Sequence, residues 1–175
     1  MLRALYLCES RGLTVDEAFA EMSAVDREIE RRAGEPDIDS LKPFVLGISG
    51  ESLAYARALA HAVEDSRGRF NDLICTVLKN WALERVARID RIILWIALAE
   101  MECMLDVPPA VAINEAIELA RTYSSQKSPG FVNGILDAIA RDMGRITVPQ
   151  NVHEHFGDPA PEGGSKDPNP GDLGG

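Results

Sequence analysis

The chain has 175 residues, 46% of them hydrophobic, enough to bury a core of its own as one domain or as two small subdomains. Its net charge of −10 excludes wholesale nucleic-acid binding by charge alone. Five acidic and two basic residues lie from Arg145 onward, so −7 remains on residues 1–144 and any RNA or DNA site has to be a local patch or be completed by a basic partner.

The opening MLRALYLCES carries an apolar run from Ala4 to Cys8 that stops at Glu9 and Arg11, too short for a secretory signal. No later stretch reaches the length of a membrane span without a charge. The expectation is a soluble, cytoplasmic protein with no membrane contact. Cys8, Cys75 and Cys103 are odd in number and far apart, which excludes zinc-ribbon and redox-pair spacings and predicts reduced, buried or half-buried thiols.

Residues 14–32 read as a helix. Thr14 and Glu17 in TVDE form a capping box, and Val15, Ala18, Phe19, Met22, Val25 and Ile29 follow at helical spacing. RRAGEPDIDSLKP punctuates its end. A second helix fits 50–65, opened by Ser49 or Ser52. The polar DSRGR then leads into a further helix, FNDLICTVL, with Phe70, Leu73, Ile74 and Val77 on one side. WALERVARIDRIILWIALAEMECML is the most apolar part of the chain and holds a helix apolar nearly all round, as expected at the centre of a bundle, with Asp90 placed to cap it after a short preceding turn. DVPPAVAINEAIELARTY starts at its prolines, and SPGFVNGILDAIARDMG has Ser128 placed to cap and Pro129 at the first helical position. No alternating strand pattern occurs, so the fold class is all-α. From residue 147 the composition turns to proline, glycine and acid, which predicts a disordered tail. The expected division is 1–65 and 66–146 as N- and C-terminal helical subdomains, with 147–175 as the tail.

A search for chemistry finds no glycine-rich phosphate loop, no HExxH and no Gly-x-Ser-x-Gly elbow. His61 reads as a surface or boundary residue, and His153 with His155 is an unconvincing metal pair. Glu100, amid Leu98, Ala99 and Met101, is best explained by a buried ion pair with an arginine. No catalysis, metal or cofactor is expected. Two features suit recognition instead. Arg85, Arg88 and Arg91 form a slanted band, either a solvated face paired with nearby acids or a set of phosphate or partner contacts. In SSQKSPGFVNG, Phe131 sits beside the buried stripe within the first turn of the last helix, preceded by Lys127. It either seals the bundle or stacks on an unpaired base while free helix N–H groups bind phosphate.

LKNWALERVARIDRIILWIALAEM followed by DVPPAVAINEAIELARTYSSQKSPGFVNGILDAIAR strongly resembles the NusB family of transcription antitermination factors. The resemblance rests on Asn80-Trp81, Arg85, Ile89-Asp90-Arg91, Leu94, Glu100, Val107-Pro108, Ile113-Asn114-Glu115-Ala116 and Phe131-Val132-Asn133-Gly134, in order. The N-terminal half matches more weakly, through Ala4-Leu5-Tyr6. The resemblance implies a bundle of about seven helices in two subdomains. It implies pairing with NusE, a ribosomal small-subunit protein, and a grip on single-stranded boxA RNA within the RNA polymerase antitermination complex. Phe131 matches an aromatic the family uses at RNA, and Asp90 an acidic position near its NusE surface. The RNA-binding set is accordingly Arg3, Arg88, Lys127 and Phe131, and the partner-binding set Asp90, Arg91 and Ser128.

Three positions depart from the family pattern. Gly130 stands where a basic residue is common, Lys127 stands where an aspartate is frequent, and only Arg3 remains of an arginine-rich run before Ala-Leu-Tyr. The opening is therefore expected to be the core-facing end of the first helix, with Leu2, Leu5 and Tyr6 packing. The alternative function is a protein-interaction module that keeps the NusE surface and has lost RNA binding. Some family members also dimerise through the face that would hold RNA. The family's fusion to ribosomal RNA methyltransferases would require a further, cofactor-binding domain.

Overall fold

The computed structural model describes residues 1–35, 50–79, 82–104 and 107–144, and among them it contains six α-helices and no strand. These are α1 (Leu2–Arg11), α2 (Val15–Arg31), α3 (Glu51–Leu78), α4 (Arg88–Cys103), α5 (Pro109–Tyr123) and α6 (Ser128–Asp142). A short 3-10 turn, Leu83–Arg85, precedes α4. The tail from residue 147, His153 and His155 included, lies outside the described residues, as do Ser49, Asn80 and Trp81.

Local signals account for most boundaries. Gly12 ends α1 in the left-handed region at φ 69°, which a residue without Cβ adopts freely. The Thr14–Glu17 capping box then opens α2, with each side chain bonded to the other residue's backbone N–H. Pro108 and Pro109 start α5 as the sequence predicts.

Helix α4 is the axis of the fold. It packs against α1, α3, α5 and α6, and every residue from Ile92 to Ala99 is buried. Ile89, at its exposed end, is only partly covered. Helix α3 reaches from α2 at one end to α4 and α6, and the buried side chains of all six helices form one continuous core.

Four sequence expectations need correction. The helices expected at 50–65 and from Phe70 onward are one helix, α3, which runs straight through DSRGR and contains the expected subdomain boundary. The reason is tertiary. Arg67 pairs with Glu64 and lays its guanidinium 5.0 Å from the Trp95 ring centroid on α4, while Arg69 pairs with Glu102. These contacts, with Val63 and Phe70 buried on either side, outweigh the roughly 1 kcal/mol cost of Gly68 in a helix. Gly50 is the N-cap of α3, so Ser52 does not open it. Val25 is exposed because the inward stripe of α2 shifts from Met22 to Ile29. Of the cysteines only Cys8 is buried, whereas Cys75 and Cys103 are exposed.

Candidate functional site

The expected site residues gather around the N-terminal end of α4, where two side-chain anchors draw in α1 and the start of α6. The first anchor is an ion pair between Arg91 and Glu9 of α1. Burial of Trp95 explains its direction. The indole Nε1 donates to Asn71 Oδ1 at 2.8 Å, and the guanidinium of Arg91 lies 5.5 Å from the ring centroid. Arg91 is thereby pressed between a tryptophan and a carboxylate. Arg88, the first residue of α4, has Nε 4.0 Å from Glu9 Oε2 and its guanidinium 5.7 Å from the Tyr6 ring centroid.

The second anchor joins α4 to α6. Ser128 Oγ donates to Asp90 Oδ2 at 2.8 Å, and both residues are buried. Ser124 and Ser125 place their hydroxyls 3.0 and 2.8 Å from Ser128 Oγ. Since Ser128 has one hydroxyl proton and gives it to Asp90, the other two serines donate to it. The result is a hydroxyl cluster with a carboxylate at its head. Asp90 sits in the first turn of α4, where the helix dipole favours its charge, although Oδ1 has no hydrogen-bond partner.

This geometry revises the expected capping roles. Ala87 is the N-cap of α4 and Lys127 that of α6, and neither helix has a side-chain cap bond. Asp90 and Ser128 hold each other across the two helices instead. Their polar groups are turned inward, so within the expected partner-binding set they form the frame of a surface. Arg91, engaged with Glu9 and mostly buried, does the same.

The expected RNA-binding residues lie on the outside of this frame. Lys127 is exposed, and Phe131 is half-buried with one side on the core. The expected ring of free N–H groups around Phe131 is largely consumed. Ser128 N–H donates to Ser125 O, Phe131 N–H donates to Lys127 O, and Pro129 has none to give. Arg3 is exposed on α1, one turn before Tyr6. Arg85 belongs to the 3-10 turn, so the three arginines do not form a band on one helix.

Sequence reasoning missed Tyr6 and Glu9. Tyr6 was expected in the core beside Leu5, yet it is 39% exposed and carries Arg88 on its ring. The spacing Arg3–Tyr6–Ser10, a polar or amphipathic residue at each turn, was the available signal. Glu9 gave none, because its partners lie on another helix. Glu100 also differs from expectation. Its partner is the Tyr55 hydroxyl, which donates at 3.3 Å, and burial with help from Glu115 raises its pKa above the ordinary carboxylate value. His61 is an exposed residue 3.6 Å from Asp16, as its surface reading predicts.

Among the described residues, no group of His, Cys, Asp or Glu side chains is placed to hold a metal ion, and no helix is long and apolar enough to cross a membrane. What the arrangement offers chemically is cations next to aromatic faces on a rigid frame.

Comparison with known proteins agrees with this picture. Residues 17–141 match the model of the NusB family. A transcription antitermination protein NusB from Desulfosudis oleivorans is 35% identical over 126 residues, which cover 69% of this chain and 82% of the relative. The fold is similar to a chain in the crystal structure of a plectonemic RNA supercoil, with TM-score 0.64, 21% identity, and coverage of 83% and 92% of the two chains. It is also similar to T. maritima NusB, with TM-score 0.53, 31% identity, and coverage of 71% and 87%.

Proposed function

Since the chain belongs to the NusB family, we propose that it is a non-enzymatic antitermination factor of the cytoplasm, which pairs with NusE and grips boxA RNA in nascent ribosomal RNA transcripts as part of the RNA polymerase antitermination complex. The observation that carries this reading is the cluster at the head of α4. Arg88 lies on the exposed Tyr6 ring, and the Asp90–Ser128 bond ties the start of α6, which carries Lys127 and Phe131, to the first turn of α4.

The roles follow from the chemistry. Phe131 and Tyr6 offer aromatic faces on which unpaired bases stack, each such contact being worth about 1–3 kcal/mol. Arg88, Lys127 and Arg3 neutralise phosphates. Asp90, Arg91 and Ser128 fix the relative placement of the three helices, and the partner docks against that frame. The body is acidic, so its net field repels RNA at long range, and NusE supplies the missing positive field.

The test is fluorescence anisotropy with labelled boxA and scrambled RNA, using the purified chain with NusE and with the oligomeric state monitored, because a homodimer through the same face would compete. The pair should prefer boxA. Phe131→Ala should weaken that binding by about 5- to 150-fold, the equivalent of one lost stack. No preference for boxA would refute the RNA role. A complex with NusE whose RNA binding ignores Phe131→Ala would favour the interaction-module reading.

A further inference from the structure

We propose that Glu9 is an internal counter-ion of the RNA face, holding Arg88 and Arg91 in the free protein and making any phosphate compete with a carboxylate for Arg88. The proposal rests on the RNA-binding reading above and adds to it a residue that sets how strongly Arg88 binds phosphate.

Glu9 is placed for this by three independent facts. Its side chain is only 14% exposed although it belongs to a short helix on the surface. One carboxylate oxygen, Oε1, is taken up by Arg91, whose guanidinium is in turn fixed against Trp95. The other, Oε2, is buried with no hydrogen-bond donor, and Arg88 Nε lies 4.0 Å from it. A buried carboxylate oxygen without a donor is costly, so it draws the nearest cation toward itself.

Arg88 is the one of the two arginines that ligand can reach. Its side chain is 47% exposed, compared with 18% for Arg91. Two groups of this protein therefore act on it, the Tyr6 ring and Glu9 Oε2. An RNA that offers only phosphate exchanges one anion for another and gains little. An RNA that also offers a base to the aromatic surface gains the stack in addition. Glu9 thus lowers the affinity for every RNA through Arg88 by a similar factor and leaves the stacking contribution intact, so a larger share of the binding free energy comes from stacked bases while the ratio of affinities between two RNAs is unchanged.

The experiment measures binding of boxA and scrambled single-stranded RNA to the chain with NusE across a salt series. Glu9→Gln keeps an acceptor for Arg91 and removes the charge. It should tighten scrambled RNA by about three- to fivefold, close to the effect of one unit charge at this distance in a solvated setting. It should also steepen the salt slope by about 0.7, and tighten boxA by a similar factor. The gain should vanish in Glu9→Gln/Arg88→Gln. Asp72→Asn, which neutralises an exposed acid of α3 outside the cluster, should not reproduce it.

Unchanged or weaker binding of folded Glu9→Gln, an equal gain in Asp72→Asn, or a gain that survives Arg88→Gln each overturns the proposal. If Glu9→Gln does not fold, two single variants decide the matter. Arg88→Gln should flatten the wild-type salt slope by less than Lys127→Gln does, and equal flattening overturns the proposal. A wild-type pair that binds no RNA defeats the RNA reading and this proposal with it. A wild-type pair that binds boxA while Glu9→Gln behaves identically defeats this proposal alone.

Discussion

Ser128→Ala tests the frame of the site without touching its exposed surface. Among the described residues the hydroxyl is the one hydrogen-bond donor to Asp90, at 2.8 Å, and Asp90 Oδ1 has no partner there. Removing it leaves both oxygens of a buried carboxylate unsatisfied, and it deprives the Ser124 and Ser125 hydroxyls of their acceptor. A hydrogen bond to a charged group contributes about 1.5–3 kcal/mol, and the helix dipole of α4 offsets only a part of its loss. The deleted atom is small, so the cavity term is minor. A destabilisation of about 2–3 kcal/mol follows, equal to a drop in Tm of roughly 4–12 °C for a domain of this size. Urea and thermal unfolding followed by circular dichroism measure it. Asp90→Asn and the double variant complete a cycle whose coupling should exceed about 1 kcal/mol. RNA affinity should fall in parallel, because Lys127 and Phe131 lose their registration with Arg88. A Ser128→Ala protein within about 0.5 kcal/mol of wild type, or strictly additive with Asp90→Asn, would refute the anchor.

Two further substitutions probe the bundle. Burial raises the pKa of Glu100 above its usual value of 4.5, so between those two values the folded state holds more protons than the unfolded one and stability falls as pH rises. Glu100→Gln removes that fall. Its stability relative to wild type should be better at pH 7 than at pH 4, by at most about 1 kcal/mol after solvent screening of a half-exposed group, and a pH-independent difference in urea midpoint would contradict this. Gly68→Ala should stabilise the protein by about 0.5–1 kcal/mol, since an added Cβ meets no atom within 4 Å and the helix is continuous there; a loss of stability on thermal unfolding would show that the glycine is needed.

What was legible in the sequence was whatever one helix decides for itself. The capping box of α2, the proline start of α5, the apolar circumference of α4 and the rim position of Phe131 all depend on neighbours within a turn or two. What was illegible depends on pairs far apart in the chain. DSRGR carries the local marks of a loop, and contacts with α4, Arg67 on the Trp95 ring 28 positions later and Arg69 with Glu102, help keep it helical. Asp90 and Ser128 each look like N-caps until they are found bonded to one another across 38 positions. Tyr6 looks like core because it follows Leu5, yet its exposure is set by where Arg88 arrives. The family resemblance named the candidate residues, but it could not tell those whose polar groups turn inward, Asp90 and Ser128, from the exposed Lys127.

That distinction bears on how an acidic protein would hold RNA on the proposed reading. Many of its arginines are committed to the fold. Arg91 is held by Glu9, Arg67 by Glu64, Arg69 by Glu102, and Arg11 by Glu21. Each such pair removes a cation that would otherwise bind any phosphate. On that reading, counterion release would then contribute less to affinity than the aromatic faces and the basic partner. Stacking requires unpaired bases in the right places, and a partner interface requires a fixed geometry. A strongly basic protein of the same shape would bind more RNA and distinguish less of it. On the proposed reading, the acidity that argues against RNA binding by charge alone shifts the affinity onto stacked bases and the basic partner, and Glu9 is where an internal carboxylate competes with phosphate for Arg88.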